Sequence, residues 1–71
     1  MRRELSPRVR ANRIRRARES KGLTQKDVAA LVDAWPSQVH YWETIGRKPT
    51  TTHLVRLSGV LGVPLDYLMV V

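Results

Sequence analysis

Residues 24–43, with the sequence TQKDVAALVDAWPSQVHYWE, read as two short helices joined by a tight turn. Thr24 can cap the first of these helices, and Asp27, three residues later, completes a capping box. Asp33 lies where the first helix should end, and Asp tolerates the left-handed backbone conformation that a sharp turn needs. We therefore predict that residues 24–44 form a helix-turn-helix.

The apolar residues of this stretch fall where two crossing helices need them. Ala29 is small enough to let the two helix backbones approach each other. The other inner-face residues are Val28, Val32, Val39 and Trp42. Burial of these side chains would leave the outer face of the later helix of the pair, which is the third helix of the chain, free to enter the major groove of a duplex.

The residues before this stretch predict a basic arm and one helix. We expect residues 1–5 to form a flexible arm. Ser6 and Pro7 are typical of a helix start, and Gly22 is typical of a helix end. The predicted helix runs from about Pro7 to Ser20. Its inner face is narrow and contains Ala11, Ile14 and Ala17.

The residues after this stretch predict a loop and two more helices. Gly46 and Pro49 mark the loop, and Thr50 or Thr51 caps a helix that ends at Gly62. A last helical turn follows within residues 65–70. The buried stripe of the fourth helix is predicted to be Leu54, Leu57, Ser58 and Leu61, and close helix packing would explain Gly59 beside it. The fold class is therefore all-α, with five helices in one domain over residues 6–71.

The chain is short and strongly basic. It has 71 residues and a formal net charge of +7, with a sequence pI of about 11.2. This charge favours a polyanionic partner: DNA, RNA or an anionic membrane surface. The cations concentrate in the first third of the chain, at Arg2, Arg3, Arg8, Arg10, Arg13, Arg15, Arg16, Arg18 and Lys21.

Several classes of protein fit this composition poorly. Cys is absent, which argues against disulfides and thiolate metal sites and favours a reducing cytoplasm or nucleoid. No apolar run approaches the roughly 20 residues that span a bilayer, and the N-terminus lacks the apolar region of a secretory signal. We expect no metal, because His40 and His53 lack partners at ligand spacing. We also expect no catalytic residues and no cofactor, so the chain is predicted not to be an enzyme.

The segment from about Ile14 to Leu68 resembles the lambda-repressor/Cro-like helix-turn-helix family. The resemblance covers most of the chain and rests on the order and spacing of short motifs. The matching residues are Gly22-Leu23-Thr24-Gln25, Ala29, Val32, Val39, Glu43, Arg47, Pro49, Leu61-Gly62-Val63, Leu65-Asp66 and Leu68.

The resemblance implies a compact five-helix domain that binds duplex DNA, usually as a dimer on a palindrome. It implies that Gln25 anchors a phosphate and that Arg18 and Glu43 form an ion pair between the first and third helices. It places the base-contacting positions at the start of the third helix. Those positions are occupied here by Pro36, Ser37, Gln38 and Tyr41.

The chain departs from the family pattern around the third helix. Asp33 replaces the usual turn Gly, Ile45 stands where a loop Gly is common, and Trp35 replaces a Ser or Thr cap. Pro36 has no N–H donor, so base readout should fall more on Ser37, Gln38 and Tyr41.

The other candidate residues lie at the helix turn, in the loop after the third helix, on the first helix and at the C-terminus. Trp35 either covers the helix turn, against Leu31, or contacts DNA. Arg47 and Lys48, in the loop after the third helix, are predicted to contact phosphates. The first-helix arginines either touch flanking phosphates or form a solvated face. The apolar C-terminus completes the core and, through Met69, Val70 and Val71, is predicted to form a homodimer seam.

The predicted function is sequence-specific binding of double-stranded DNA by a transcriptional regulator, most simply a phage or bacterial repressor at a palindromic operator. Activators, restriction-system controllers and antitoxins of the same family remain alternatives. An antitoxin or another interaction module would have a protein as its main partner. A membrane-surface role for the first helix is disfavoured, because its apolar face is weak.

Overall fold

A computed structural model describes residues 3–70 of the chain, and within that range the ordered elements are five helices. They are α1 (Pro7–Ser20), α2 (Gln25–Val32), α3 (Pro36–Thr44), α4 (Thr51–Leu61) and α5 (Leu65–Met69). The predicted all-α fold is confirmed. Among the described residues, no helix is both long enough and apolar enough to cross a bilayer.

The helix ends follow from local side-chain chemistry. The Ser6 hydroxyl accepts a hydrogen bond from the backbone N–H of Val9 at the start of α1. At the start of α2, the Thr24 hydroxyl accepts from the Asp27 N–H and the Asp27 carboxylate accepts from the Thr24 N–H. These bonds from Thr24 hold the pKa of Asp27 below its ordinary value, so this cap is complete above the acidic range and weakens as the pH falls.

The turn between α2 and α3 has the predicted backbone conformation. Asp33 lies in the left-handed region, with φ of 58° and ψ of 51°. The His53 ring lies 3.4 Å from the Asp33 carbonyl oxygen and 5.2 Å, centroid to centroid, from the Trp42 ring. His53, in the first turn of α4, therefore packs against the connection between α2 and α3.

A single hydrophobic core joins all five helices. α2 packs on α3 and α4, and α1 packs on α3 and α5. Its buried members are Ile14, Val28, Ala29, Val32, Val39, Trp42, Leu54, Leu57, Leu61 and Leu68. The inner face predicted for residues 24–43 is thus the centre of the core, and the opposite face of α3 remains outside it.

The N-terminal segment differs from the predicted flexible arm. Leu5 is buried, its N–H donates to the Met69 carbonyl oxygen, and Glu4 pairs with Val70 in an isolated antiparallel bridge. The reason is that Leu5 is apolar and buried and that the backbone of this segment bonds to the end of α5, which the basic composition of residues 1–5 did not indicate. The first two residues of the predicted arm lie outside the described residues.

Gly46 and Gly59 have opposite packing environments. Gly46 has φ of +70°, and a Cβ at this position would overlap the Pro7 carbonyl oxygen. Gly59 faces open space, with nothing within 4 Å of such a Cβ. Close packing therefore requires glycine at residue 46, and it does not explain Gly59 as the sequence suggested.

Arg18 and Glu43 tie α1 to α3. The Arg18 guanidinium donates from Nε to Glu43 Oε2 at 2.7 Å and from Nη2 to Oε1 at 2.8 Å. Its third donor, Nη1, reaches the Leu23 carbonyl oxygen at 2.8 Å. The Glu43 side chain is 1% exposed and that of Arg18 is 13% exposed, and the hydrogen bonds to Glu43 raise the pKa of Arg18.

The two glycines give a paired stability prediction. Replacing Gly59 by Ala should raise the free energy of unfolding by about 0.5–1 kcal/mol, because Ala is the better helix former and meets no neighbour. Replacing Gly46 by Ala should lower it by at least about 1–2 kcal/mol, because Ala is strained at positive φ and collides with Pro7. Urea denaturation followed by circular dichroism measures both, and equal effects would contradict the packing described.

The Arg18–Glu43 pair gives a second stability prediction. Glu43→Ala should destabilise the fold by about 3–5 kcal/mol, because it leaves a largely buried guanidinium without its counterion. The double variant Arg18→Met with Glu43→Leu should be clearly more stable than Glu43→Ala, since no buried charge remains. A Glu43→Ala variant with the unfolding midpoint of the wild type would show that the pair does not hold α1 to α3.

Candidate nucleic-acid interface

The outer face of α3 is exposed along its whole length. Ser37, Tyr41 and Thr44 recur at positions i, i+4 and i+7, which places them on one side of the helix, and all three are exposed. We call these three residues the α3 row. Pro36 and His40 lie beside it and are also exposed. The inner face is buried, so α3 can present only this outer face to a partner.

The start of α3 is capped in an unusual way. Trp35 has no side-chain oxygen for the free N–H groups of the helix, and Gln38 instead accepts from the Trp35 backbone N–H through Oε1 at 2.9 Å. Gln38 is therefore oriented by its own helix, with its amide N–H₂ still available as a donor. Trp35 is 74% exposed and Leu31 is 57% exposed, so the turn is not covered by a buried Trp35 lid.

Gln25, predicted to anchor a phosphate, is held by the ion pair between α1 and α3. Its Nε2 donates to Glu43 Oε1 at 3.2 Å, the oxygen that also accepts from Arg18. The side chain thus lies between the N-terminus of α2 and the body of α3. This contact fixes the first residue of α2, whose free N–H groups and helix dipole favour an anion.

Arg47 and Tyr41 are brought together beside the α3 row. The Arg47 guanidinium carbon lies 5.2 Å from the centroid of the Tyr41 ring, within cation–π range, and the Arg47 N–H donates to the Tyr41 carbonyl oxygen. The loop cation is therefore positioned against the exposed face of α3. Sequence reasoning placed Arg47 in this loop and did not foresee its contact with Tyr41.

Lys48 is paired with Glu4 of the N-terminal segment. The Lys48 ammonium group donates to the Glu4 carboxylate, and this contact lowers the pKa of Glu4. Both side chains are about half exposed, so solvent screens the pair. A phosphate that binds Lys48 would have to compete with Glu4. The sequence did not predict this contact between Lys48 and Glu4.

Arg10 is the main structural residue that sequence reasoning missed. It was counted among the surface cations of α1, yet it is 6% exposed. It donates to the Leu5 carbonyl oxygen at 3.2 Å and to the Gly46 carbonyl oxygen at 2.7 Å. Arg10 thereby fixes the loop that carries Arg47 and Lys48. Its position on the Ala11–Ile14 side of α1 was the available signal.

The C-terminal residues are partly used inside the domain. Met69 packs against the core, and Val70 pairs with Glu4 in the bridge described above. Both remain half-buried, and Tyr67 beside them is exposed. Val71, the third residue of the predicted dimer seam, lies outside the described residues.

Solved structures with the same fold come from several kinds of protein. The restriction-modification controller protein C.AhdI from Aeromonas hydrophila is 26% identical, with a TM-score of 0.79, over 87% of this chain and 94% of that chain. The DNA-binding domain of the P22 C2 repressor is 25% identical, with a TM-score of 0.79, over 90% of this chain and 84% of that one.

A further likeness covers only part of a larger protein. Hydroxypropylphosphonic acid epoxidase from S. wedmorenis is 28% identical, with a TM-score of 0.78, over 90% of this chain and 34% of that one. The chain thus spans well under half of the epoxidase, and the likeness is one of a small domain.

A comparison with curated proteins gave no significant match. The helix-turn-helix family model matches residues 14–68, which include α2, α3, α4, the second half of α1 and most of α5. The chain therefore belongs to the Cro/C1-type helix-turn-helix family.

Proposed function

We propose that this protein is a transcription regulator that binds duplex DNA sequence-specifically with the outer face of α3. The observation that carries the proposal is the setting of that face. It is exposed, and Gln25 at the start of α2 flanks it on one side while Arg47 and Lys48 follow it in the next loop. A helix of this kind fits the major groove, with phosphate-binding groups on both sides.

Within this interface the residues have two kinds of role. Ser37, Gln38 and Tyr41 contact base edges, and Pro36 offers only van der Waals contact. Gln25, Arg47 and Lys48 bind phosphates. The net charge of +7 supports this division, because phosphate neutralisation supplies affinity while base contacts supply specificity. Trp35, exposed at the start of α3, contacts the sugar–phosphate backbone.

The finer proposal is a phage or bacterial repressor that acts as a homodimer on a palindromic operator in the cytoplasm or nucleoid. The likeness to the P22 C2 repressor domain supports it. The dimer seam is formed by the C-terminal stretch with Met69, Val70 and Val71. A two-fold dimer binds two half-sites, so a symmetric operator implies a dimer and an asymmetric operator argues against one. A catalytic function is not part of the proposal.

Selection of binding sites from random duplexes is the experiment that tests this function. The expected result is an enriched half-site repeated as an inverted repeat, with sedimentation showing a dimer on it. Enrichment of a single, unrepeated site would support a sequence-specific regulator and would contradict the palindromic operator. Equal binding to all sequences at physiological salt, together with a protein partner that co-purifies, would favour the alternative of an interaction module.

Gln38→Ala should relax the base preference at one position of each half-site. A bidentate contact with adenine contributes about 1–3 kcal/mol of discrimination, so the selectivity at that position should fall by that amount. Competition between the selected duplex and single-base variants measures it. The domain must also be shown to stay folded, because Gln38 accepts the Trp35 N–H. Equal weakening at every duplex would show that Gln38 is not a base reader.

Arg47→Ala should act without regard to sequence. Loss of one phosphate contact should weaken binding to selected and random duplexes alike and flatten the plot of log K against log salt by about 0.9. Arg56→Ala is a suitable control, because Arg56 approaches Asp33 and the Val32 carbonyl oxygen instead of the α3 row. An unchanged salt slope for the Arg47 variant would remove Arg47 from the interface.

A further inference from the structure

We propose that a second set of side chains, Arg8, Asn12 and Arg15 on α1, binds the phosphate backbone of the duplex that α3 reads. We call these three residues the α1 row. The inference rests on the proposed function, since it extends the contact surface of a DNA-bound domain. The two cations assigned to phosphate contact are Arg8 and Arg15, and the neighbouring Arg16 is excluded.

The structure first separates the structural arginines of α1 from the available ones. Arg10 is buried and binds two backbone carbonyl oxygens. Arg13 donates to the Tyr67 carbonyl oxygen at 2.8 Å and lies over the Tyr67 ring, 4.6 Å from its centroid. Arg18 is committed to Glu43. The exposed arginines that remain on α1 are Arg8, Arg15 and Arg16.

The α1 row borders the side of the molecule on which α3 is exposed. Its members recur at i, i+4 and i+7, so they share one face of α1. They line an open groove whose other wall is the C-terminal end of α3, with Thr44 and Ile45. Thr44 is the last residue of the α3 row. A duplex seated on the α3 row would therefore bring its backbone next to this groove.

The charges of this groove suit a phosphate. Within residues 3–70, Arg8 and Arg15 take part in no ion pair, and Arg15 Nη2 donates to Asn12 Oδ1 at 3.1 Å. Glu43 also lines the groove, but its carboxylate is already occupied by Arg18 and Gln25. The two guanidinium groups keep donors available, and arginine presents them in a fork that matches phosphate oxygens.

Arg16 faces the other side of α1 and provides a matched control. It lines a separate groove with Val63, Pro64 and Tyr67, which belong to α5 and the turn before it. It is adjacent to Arg15 in sequence, equally charged and also exposed. A change at Arg16 alters the net charge as a change at Arg15 does, and only their positions differ.

The experiment compares Arg8→Gln, Arg15→Gln and Arg16→Gln with the wild type. Fluorescence anisotropy with a labelled random-sequence duplex and with the selected duplex gives the slope of log K against log salt. Arg8→Gln and Arg15→Gln should each reduce the magnitude of the slope by about 0.9, and both together by about twice that, on both duplexes. Arg16→Gln should leave the slope unchanged. Arg15→Lys keeps the positive charge, so its slope should be close to that of the wild type. Thermal denaturation of each variant checks that the fold is retained.

The outcomes separate this inference from the function on which it rests. If the wild type binds duplexes and Arg15→Gln has the slope of Arg16→Gln, the α1 row is not a phosphate contact, while the proposed function stands. If the slopes of Arg15→Gln and Arg16→Gln fall by the same nonzero amount, the effect is one of net charge and the inference is overturned. If the wild type binds neither duplex, the proposed function fails and the inference fails with it.

Discussion

The hydrogen-bonded ion pair between Arg18 and Glu43 is the contact on which the arrangement of α1, α2 and α3 depends. It joins α1 to α3, and through Gln25 and the Leu23 carbonyl oxygen it also reaches the start of α2. The apolar core alone would hold these helices together, but it is non-directional. Short bonds to a nearly inaccessible carboxylate define the orientation of α3 against the other two helices, because any rotation would leave charge unpaired.

A second set of polar contacts extends this order to the loop after α3. Arg10 binds the Gly46 carbonyl oxygen from within α1, and Gly46 packs against Pro7 so closely that a side chain would not fit. Arg47 then lies against Tyr41. The arginines of the first third of the chain thus act in two ways. Arg10 and Arg18 form hydrogen bonds inside the domain, whereas Arg8, Arg15 and Arg16 are exposed.

The sequence predicted the helices well because their signals are local. The Thr24–Asp27 capping box, the turn at Asp33 and the inner face of residues 24–43 depend on residues a few positions apart. The contacts of Leu5, Arg10 and Lys48 were missed because each joins residues that are distant in sequence and carries no periodic signal. The exposed outer face of α3 could be predicted, because it lies opposite that inner face. The hydrogen bond from the Trp35 N–H to Gln38 could not be predicted, since it depends on one side-chain rotamer.

We propose that α3, the start of α2 and the loop after α3 form one DNA-binding face, and this claim is central to the proposed function. Amide chemical-shift mapping by NMR, during titration with the selected duplex, tests it most directly. The largest shifts should fall on Gln25, Trp35, residues 37–41 and Arg47, with small shifts around Val63 and Tyr67 on the far side of α1. Largest shifts on α4 and α5, with Trp35 and residues 37–41 unchanged, would contradict the claim.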